Sequence, residues 1–268
     1  MDVVTDLAHG GRWTSLRHGG REWLWRREIA ARDGVAPGDA FVDAGGVEEC
    51  VPTVRGTPDH GDAWSRAWTR EGDGERVHGE HFTLTRTLSG TADGVRADYV
   101  LAAEPGFRFL WAAHALLDLS EAAVLKARDG APTRLFPEAA PLVDRPWPAG
   151  ARWQEGVWPA PLGLRLDRFG PDDGTAAGAV VADGRCCVHD DRDRLSFAVE
   201  AEGQPLSVAL WRNLGGFPAA RPYRSTGVEP MLGRVFDLAD AGPDDAARVG
   251  ASGEVRWRLT VSAACRCP

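Results

Sequence analysis

The sequence predicts an all-β protein of many antiparallel strands, and three observations carry that prediction. The 32 glycines and 18 prolines are scattered along 268 residues, which disfavours a long helical bundle and a low-complexity linker alike. Several stretches alternate apolar and polar residues with period two, while helical spacing is scarce. No internal repeat is visible and no linker divides the chain. Residues 1–268 therefore read as one domain that hides its strand edges in a barrel or sandwich, with a propeller disfavoured.

The elements follow in order. Residues 11–25, GRWTSLRHGGREWLW, read as two short strands joined at His18-Gly19-Gly20, a glycine-bearing hairpin turn. Residues 26–38 are charged and irregular. Residues 41–68, FVDAGGVEECVPTVRGTPDHGDAWSRAW, have almost no helical periodicity and read as a ligand-facing loop. Trp64 and Trp68 offer flat apolar faces there, and His60, Asp62 and Arg66 supply directional hydrogen bonds. The competing reading is a surface loop whose tryptophans fold back onto the core.

From residue 81 the alternation sets in. Phe82, Leu84, Arg86 and Leu88 share one side of a strand with Thr83, Thr85 and Thr87 on the other, and residues 95–101 repeat the period. Residues 107–119, FRFLWAAHALLDL, form the most apolar run. Phe107, Phe109, Trp111 and Ala113 fall on one face and Leu110, Ala112, His114 and Leu116 on the other, as in a strand between stacked layers. The Glu104-Pro105-Gly106 turn and the aromatic content favour strand over helix. Residues 120–160, rich in proline and tryptophan, are expected to loop over the sheet, and residues 171–184 to form turns. Residues 195–201, 206–211 and 255–263 read as strands, and only 235–241 and 244–249 as short helices.

Composition narrows the partners. A formal net charge of −8 disfavours nucleic acid and anionic membrane as main partners. Lys126 is the only lysine, a skew that reads as genomic composition bias and not as a phosphate-binding signature. No run of eighteen apolar residues is present to span a membrane. The first residues, MDVVTDLAHGGRW, lack a basic stretch followed by an apolar one, so no secretory signal is visible and a cytoplasmic location is expected. The five cysteines, Cys50, Cys186, Cys187, Cys265 and Cys267, lack zinc-site spacing and read as mostly structural thiols.

Three titratable residues stand in uncharged settings: His60 in PDHGDAW, His114 in WAAHALL and Glu229 in TGVEPML. Taken singly each has a bland reading, His114 as a core histidine with one satisfied nitrogen and Glu229 as a strand end in water. His9, His18, His78, His81 and His189 fall in charged or turn-like stretches and read as solvated surface.

Taken in order, GGRWTSLRHGGREWLW, GGVEECVPT, HGDAWSRAW, WAAHALLDL, LWRNLGGFP and GVEPMLGRVFDLADA resemble the landmarks of the aldose 1-epimerase (galactose mutarotase-like) family, over about residues 10–257. The resemblance implies a β-supersandwich of stacked antiparallel sheets, no cofactor, a monosaccharide as partner, and interconversion of the α and β anomers of a free sugar. It makes Glu229 the general base at the anomeric hydroxyl, His114 the general acid at the ring oxygen, and His60 a sugar-binding histidine. Asp62 is the candidate for the distal sugar hydroxyls by its place in the loop, and Arg66 resembles an arginine of hexose-phosphate epimerase relatives. Trp211 and Asn213, in LWRNLGGFP, are expected to line the site from the other side, Trp211 as a stacking surface. The sequence departs from the family where Ala113 and Ala115, and no polar neighbour, flank the strand histidine.

The chemistry is consistent with those roles. Opening a pyranose removes a proton from one oxygen and delivers another to a second oxygen on the same carbon, which a carboxylate and an imidazolium on opposite sides of the ring can do. Two other classes stay open: a carbohydrate-binding protein on the same fold without turnover, and a metal enzyme using His60, His114 and Glu229 as an iron triad.

Overall fold

The computed structural model describes residues 1–264, so the expected thiols Cys265 and Cys267 lie outside the described residues. Two large antiparallel sheets face each other. The first runs, edge to edge, Asp2–Asp6, Arg12–His18, Val47–Cys50, Trp111–Leu117, Arg224–Leu232, Leu206–Leu214, Thr175–Val181, Pro132–Leu135 and Gln154–Val157, with Arg21–Glu22 paired to Arg12–His18. The second runs Val124–Lys126, Arg185–Asp190, Asp193–Ala201, Glu254–Ser262, Gly94–Ala103, Phe82–Gly90, Gly74–His78 and Thr69–Glu71. A two-stranded ribbon joins Ala247–Arg248 to Arg108–Phe109.

The main core lies where the sheets meet. Tyr99 and Trp257 stack there at 5.0 Å, and the Trp111 ring lies 4.9 Å from Tyr99. Pairs of this kind add about 1 kcal/mol each beyond the area they bury. One buried polar network runs through the same layer: Glu49 accepts from Arg86 (2.6 Å), Tyr99 (2.9 Å) and Trp111 (2.7 Å), and Arg86 also holds Glu75. With every member satisfied, the network fixes how the strands sit against each other.

The central strand Trp111–Leu117 is buried at every residue, and period two assigns its two faces. Trp111, Ala113, Ala115 and Leu117 enter the main core. Ala112 enters a second, smaller cluster on the opposite face of the first sheet, with Cys50, Val180, Ala209, Met231, Phe136 and Phe236. His114 shares that second face by the same alternation.

Three expectations are corrected. Residues 120–160 and 171–184 contribute strands to the sheets, Val124–Lys126, Pro132–Leu135, Gln154–Val157 and Thr175–Val181, in place of loops and turns. Thr175–Val181, TAAGAVV, is mostly small residues, which hides a buried strand from a propensity reading. The expected helices at 235–241 and 244–249 are absent among the described residues; only the 3₁₀ turn Leu238–Asp240 and the short strand Ala247–Arg248 stand there.

Candidate active site

Three adjacent strands of the first sheet align the ionisable side chains in one row. Register sets His114 opposite Glu48 on one side. On the other, the ladder pairs Ala112 with Met231 and Leu116 with Gly227, which places His114 opposite Glu229. Pro230 sits in the interval between those pairs and has no N–H to give to the neighbouring strand. The ladder is therefore interrupted beside the two catalytic candidates.

His114 Nε2 lies 3.7 Å from Glu229 Oε1, near enough for their charges to interact yet too long for a hydrogen bond. Glu229 is 2% exposed, and its Oε2 is buried with no hydrogen-bond partner among the described residues. Burial raises the Glu229 pKa above the usual carboxylate value, with the charges of His114 and Arg55 offsetting part of the rise. Gly227 makes room for this carboxylate: a Cβ there would overlap Oε1 and lie 3.3 Å from the carboxylate carbon.

Loop residues close over the row. Gly61 bridges to Val51 and lies so tightly against that backbone that a Cβ would overlap it, while Asp62 N–H donates to Val51 O at 2.6 Å. This fold-back holds His60 at φ 57°, a conformation uncommon outside glycine and asparagine. The His60 ring stacks on Phe41 at 3.6 Å and meets the His114 ring edge to face at 5.1 Å. Its Nδ1 lies 2.8 Å from Asp59 Oδ1, and burial lowers the His60 pKa to about 4, against the opposing pull of Asp59. At neutral pH His60 is thus uncharged. The Asp59 carboxylate, its own pKa lowered by that bond, takes the Nδ1 proton's hydrogen bond, which leaves Nε2 as an acceptor.

Glu48, on the far side of His114, is drawn away from it. Arg32 donates to both Glu48 oxygens at 3.2 Å, and burial raises the Glu48 pKa to about 7 despite that partner. Arg32 also donates to Trp64 O and His9 O, so the group ties the loop to the sheet.

Of the residues singled out in sequence, His60, His114 and Glu229 come together. Trp211 lies on the same face, opposite Gly227 on one side and Gly178 on the other, and is half-buried. Asp62 and Arg66 partner each other at 2.8 Å, and Asp62 also accepts from Glu80 N–H, so both hold the loop in shape. Asn213 is corrected from a ligand contact to a loop anchor. It is wholly buried, its amide nitrogen donates to Phe217 O, Tyr223 O and Ser225 Oγ, and its oxygen accepts from Gly216 and Phe217 N–H. Trp64 and Trp68 are likewise buried, with N–H groups on Asp59 O and Ala63 O, and offer no open stacking face.

The sequence reading missed Arg55 and Glu138. The Arg55 guanidinium lies 5.5 Å from the Trp211 ring and 4.2 Å from the Phe236 ring, and its charge is felt by both His60 and Glu229. Arg55 Nη1 donates to Glu138. Arg55 stands five residues before His60 in the same loop, which was the available signal; Glu138 left none.

Surface clefts open elsewhere on the molecule as well. One of about 1000 Å³ runs over the second sheet past Asp98, Val100, Glu200, Arg256 and Arg258. Its arginines are paired with neighbouring acids, as Arg258 with Asp98 at 2.8 Å, so the chemistry points to the row on the first sheet. Among the described residues no three His, Cys, Asp or Glu side chains are grouped as a metal site requires, and His60, His114 and Glu229 do not form such a set. No helix among them is long and apolar enough to cross a membrane.

No family model matches the chain, and no curated protein matches its sequence. Solved structures do. A protein from Synechocystis sp. PCC 6803 superposes with a TM-score of 0.67 at 15% identity, over 98% of this chain and 92% of its own. A proposed aldose 1-epimerase from Escherichia coli K12 gives 0.66 at 13% identity, over 97% of each chain. A galactose mutarotase-like protein from Lactobacillus casei ATCC 334 gives 0.60 at 14% identity, over 97% and 99%. At such identities the likeness speaks for fold alone: this chain has the stacked antiparallel sheets of the galactose mutarotase-like proteins.

Proposed function

We propose that the chain is an aldose 1-epimerase-like isomerase that interconverts the α and β anomers of a free sugar. The observation that carries this reading is the 3.7 Å approach of His114 Nε2 to Glu229 Oε1 on one face of one sheet, with Glu229 Oε2 left without a hydrogen-bond partner among the described residues. The anomeric hydroxyl and the ring oxygen share one carbon, so they lie closer together than these two side chains do. Both oxygens are reachable from the same side, and the acid and base need not flank the ring.

Glu229 takes the proton of the anomeric hydroxyl, and its raised pKa makes it a firmer base than an exposed carboxylate. His114 gives a proton from Nε2 to the ring oxygen as the C1–O5 bond breaks. The electron pair of the former O–H bond becomes the second bond of the aldehyde. After rotation about C1–C2, the C5 hydroxyl attacks the other carbonyl face, His114 takes back its proton, and Glu229 returns the first. His60, uncharged and accepting at Nε2, binds a sugar hydroxyl; as an acceptor it cannot serve the ring oxygen, which has no hydrogen to offer. Trp211 supplies a flat surface for the ring, and Asp62 and Arg66 act at a distance by holding the His60 loop. No resident metal or redox group enters any of these steps.

The test is exchange of freshly dissolved anomers followed by polarimetry or NMR, across hexoses and pentoses. The reading expects exchange above the spontaneous rate for at least one sugar. Exchange at the spontaneous rate for all of them ends it.

A further inference from the structure

Beyond the acid and base, the same face carries one more built feature, the Arg55–Glu138 pair. Arg55 Nη1 holds Glu138 Oε1, while Glu138 Oε2 is buried without a hydrogen-bond partner among the described residues. Gly178 lies directly beneath, where a Cβ would sit 3.2 Å from Arg55 Nη2 and 3.5 Å from Glu138 Oε2. Gly178 is the cross-strand neighbour of Trp211, which in turn neighbours Gly227 under the Glu229 carboxylate. The pair therefore stands over the same tract of sheet as Glu229, two strands along, and its arginine is felt electrostatically at Glu229 and His60.

We propose that Glu138, fixed by Arg55, accepts a hydrogen bond from a ring hydroxyl distal to the anomeric carbon and thereby selects uncharged aldoses over sugar phosphates. The inference rests on the sugar-isomerase reading and names the substrate class of that site. A buried carboxylate oxygen with no donor is costly to leave unmet, and a sugar hydroxyl supplies the missing donor. The charge count points the same way. Arg55 is neutralised by Glu138, Arg66 by Asp62, and Arg134, two residues before Phe136 in the adjoining cluster, by Asp245 at 2.7 Å and Glu155 at 3.0 Å. Glu229 faces His114, and Asp59, whose partner His60 is uncharged at neutral pH, then leaves the site negative. A phosphate arriving there meets repulsion, with every named cation already matched.

The experiment compares the wild type with Glu138→Gln, which keeps shape and packing, after equal thermal unfolding has shown that both are folded. Anomer exchange is measured on D-glucose, D-galactose, their 6-phosphates and the 2-, 3-, 4- and 6-deoxy sugars. The expected result is a KM for the preferred sugar raised about 10- to 100-fold with kcat little changed, as for a charged hydrogen bond lost equally from ground and transition states. At one deoxy position the wild type and variant should converge, and the variant's relative preference for the 6-phosphate should rise about tenfold or more. An unchanged KM, or the same penalty on every deoxy sugar, overturns the proposal. Should the wild type exchange no anomers, the isomerase reading fails on its own. Calorimetric titration with the same sugars then decides on Glu138: binding weakened in the variant supports its role, and equal or absent binding overturns it.

Discussion

Gly227→Ala tests the geometry of the site with one methyl group. The added Cβ would overlap Glu229 Oε1, stand 3.3 Å from the carboxylate carbon and 3.1 Å from Trp211 Cβ. To restore ordinary van der Waals contact the carboxylate has to withdraw by about 1 Å. That withdrawal changes the 3.7 Å relation to His114 and, on the proposed mechanism, turns Oε2 away from the anomeric hydroxyl. A misplacement of about 1 Å in a reacting group costs on the order of 100-fold in rate, so kcat for anomer exchange should fall by about that factor. Overpacking by one methyl should cost only about 1–2 kcal/mol of stability, readable in urea. Because the damage acts through Glu229, Gly227→Ala added to Glu229→Gln should lower the rate no further. A variant that keeps kcat within threefold of wild type, or a double variant much slower than Glu229→Gln alone, refutes the reasoning.

Other consequences can be checked on stability. His60 has a folded pKa of about 4 against 6.5 unfolded, so the folded state binds fewer protons and its stability falls as pH drops through that window. Relative to wild type, His60→Asn, whose residue type tolerates the positive φ, should gain up to about 3 kcal/mol between pH 6.5 and 4 in urea melts; a parallel pH dependence would contradict the burial argument. Arg86→Met leaves buried Glu49 without its cation and Glu75 with only the exposed Arg70, and should cost about 3–5 kcal/mol, largely recovered when both acids become glutamine. Asn213→Ala removes both N–H donors and the twice-used acceptor oxygen of the amide at once and should cost about 2–3 kcal/mol, with the 216–217 backbone amides losing protection from hydrogen exchange; undiminished protection would return Asn213 to the list of ligand contacts.

What could be read from sequence followed the strength of the local pattern. The hairpin at Gly19-Gly20, the alternating strands around Phe82, Val95 and Val255, and the two-faced burial of the WAAHALL strand are written in period two and turn chemistry, and the structure reproduces them. Thr175–Val181 escaped because small residues between glycine and alanine carry no strand signature until larger neighbours cover them. Glu229 was expected at a strand end because proline follows it, whereas the strand Arg224–Leu232 continues through Pro230, and the missing N–H falls where the ladder is interrupted. His60, His114 and Glu229 stood out by their uncharged settings and took their roles from an ordered resemblance; spacing alone could not bring residues 60, 114 and 229 together. Asn213 and Trp64 misled for one reason: residue type announces hydrogen-bonding and stacking capacity, while only the fold says whether the protein already uses it. Arg55 and Glu138 show the converse, since a pair formed across 83 residues has no local pattern.

The most direct trial of the central claim is NMR exchange between the anomers of the preferred sugar with Glu229→Gln beside the wild type. The account predicts exchange reduced by about 100-fold or more, with sugar affinity within a few-fold of wild type, because the substitution removes a base and leaves the shape of the site intact. Exchange undiminished in Glu229→Gln would contradict it.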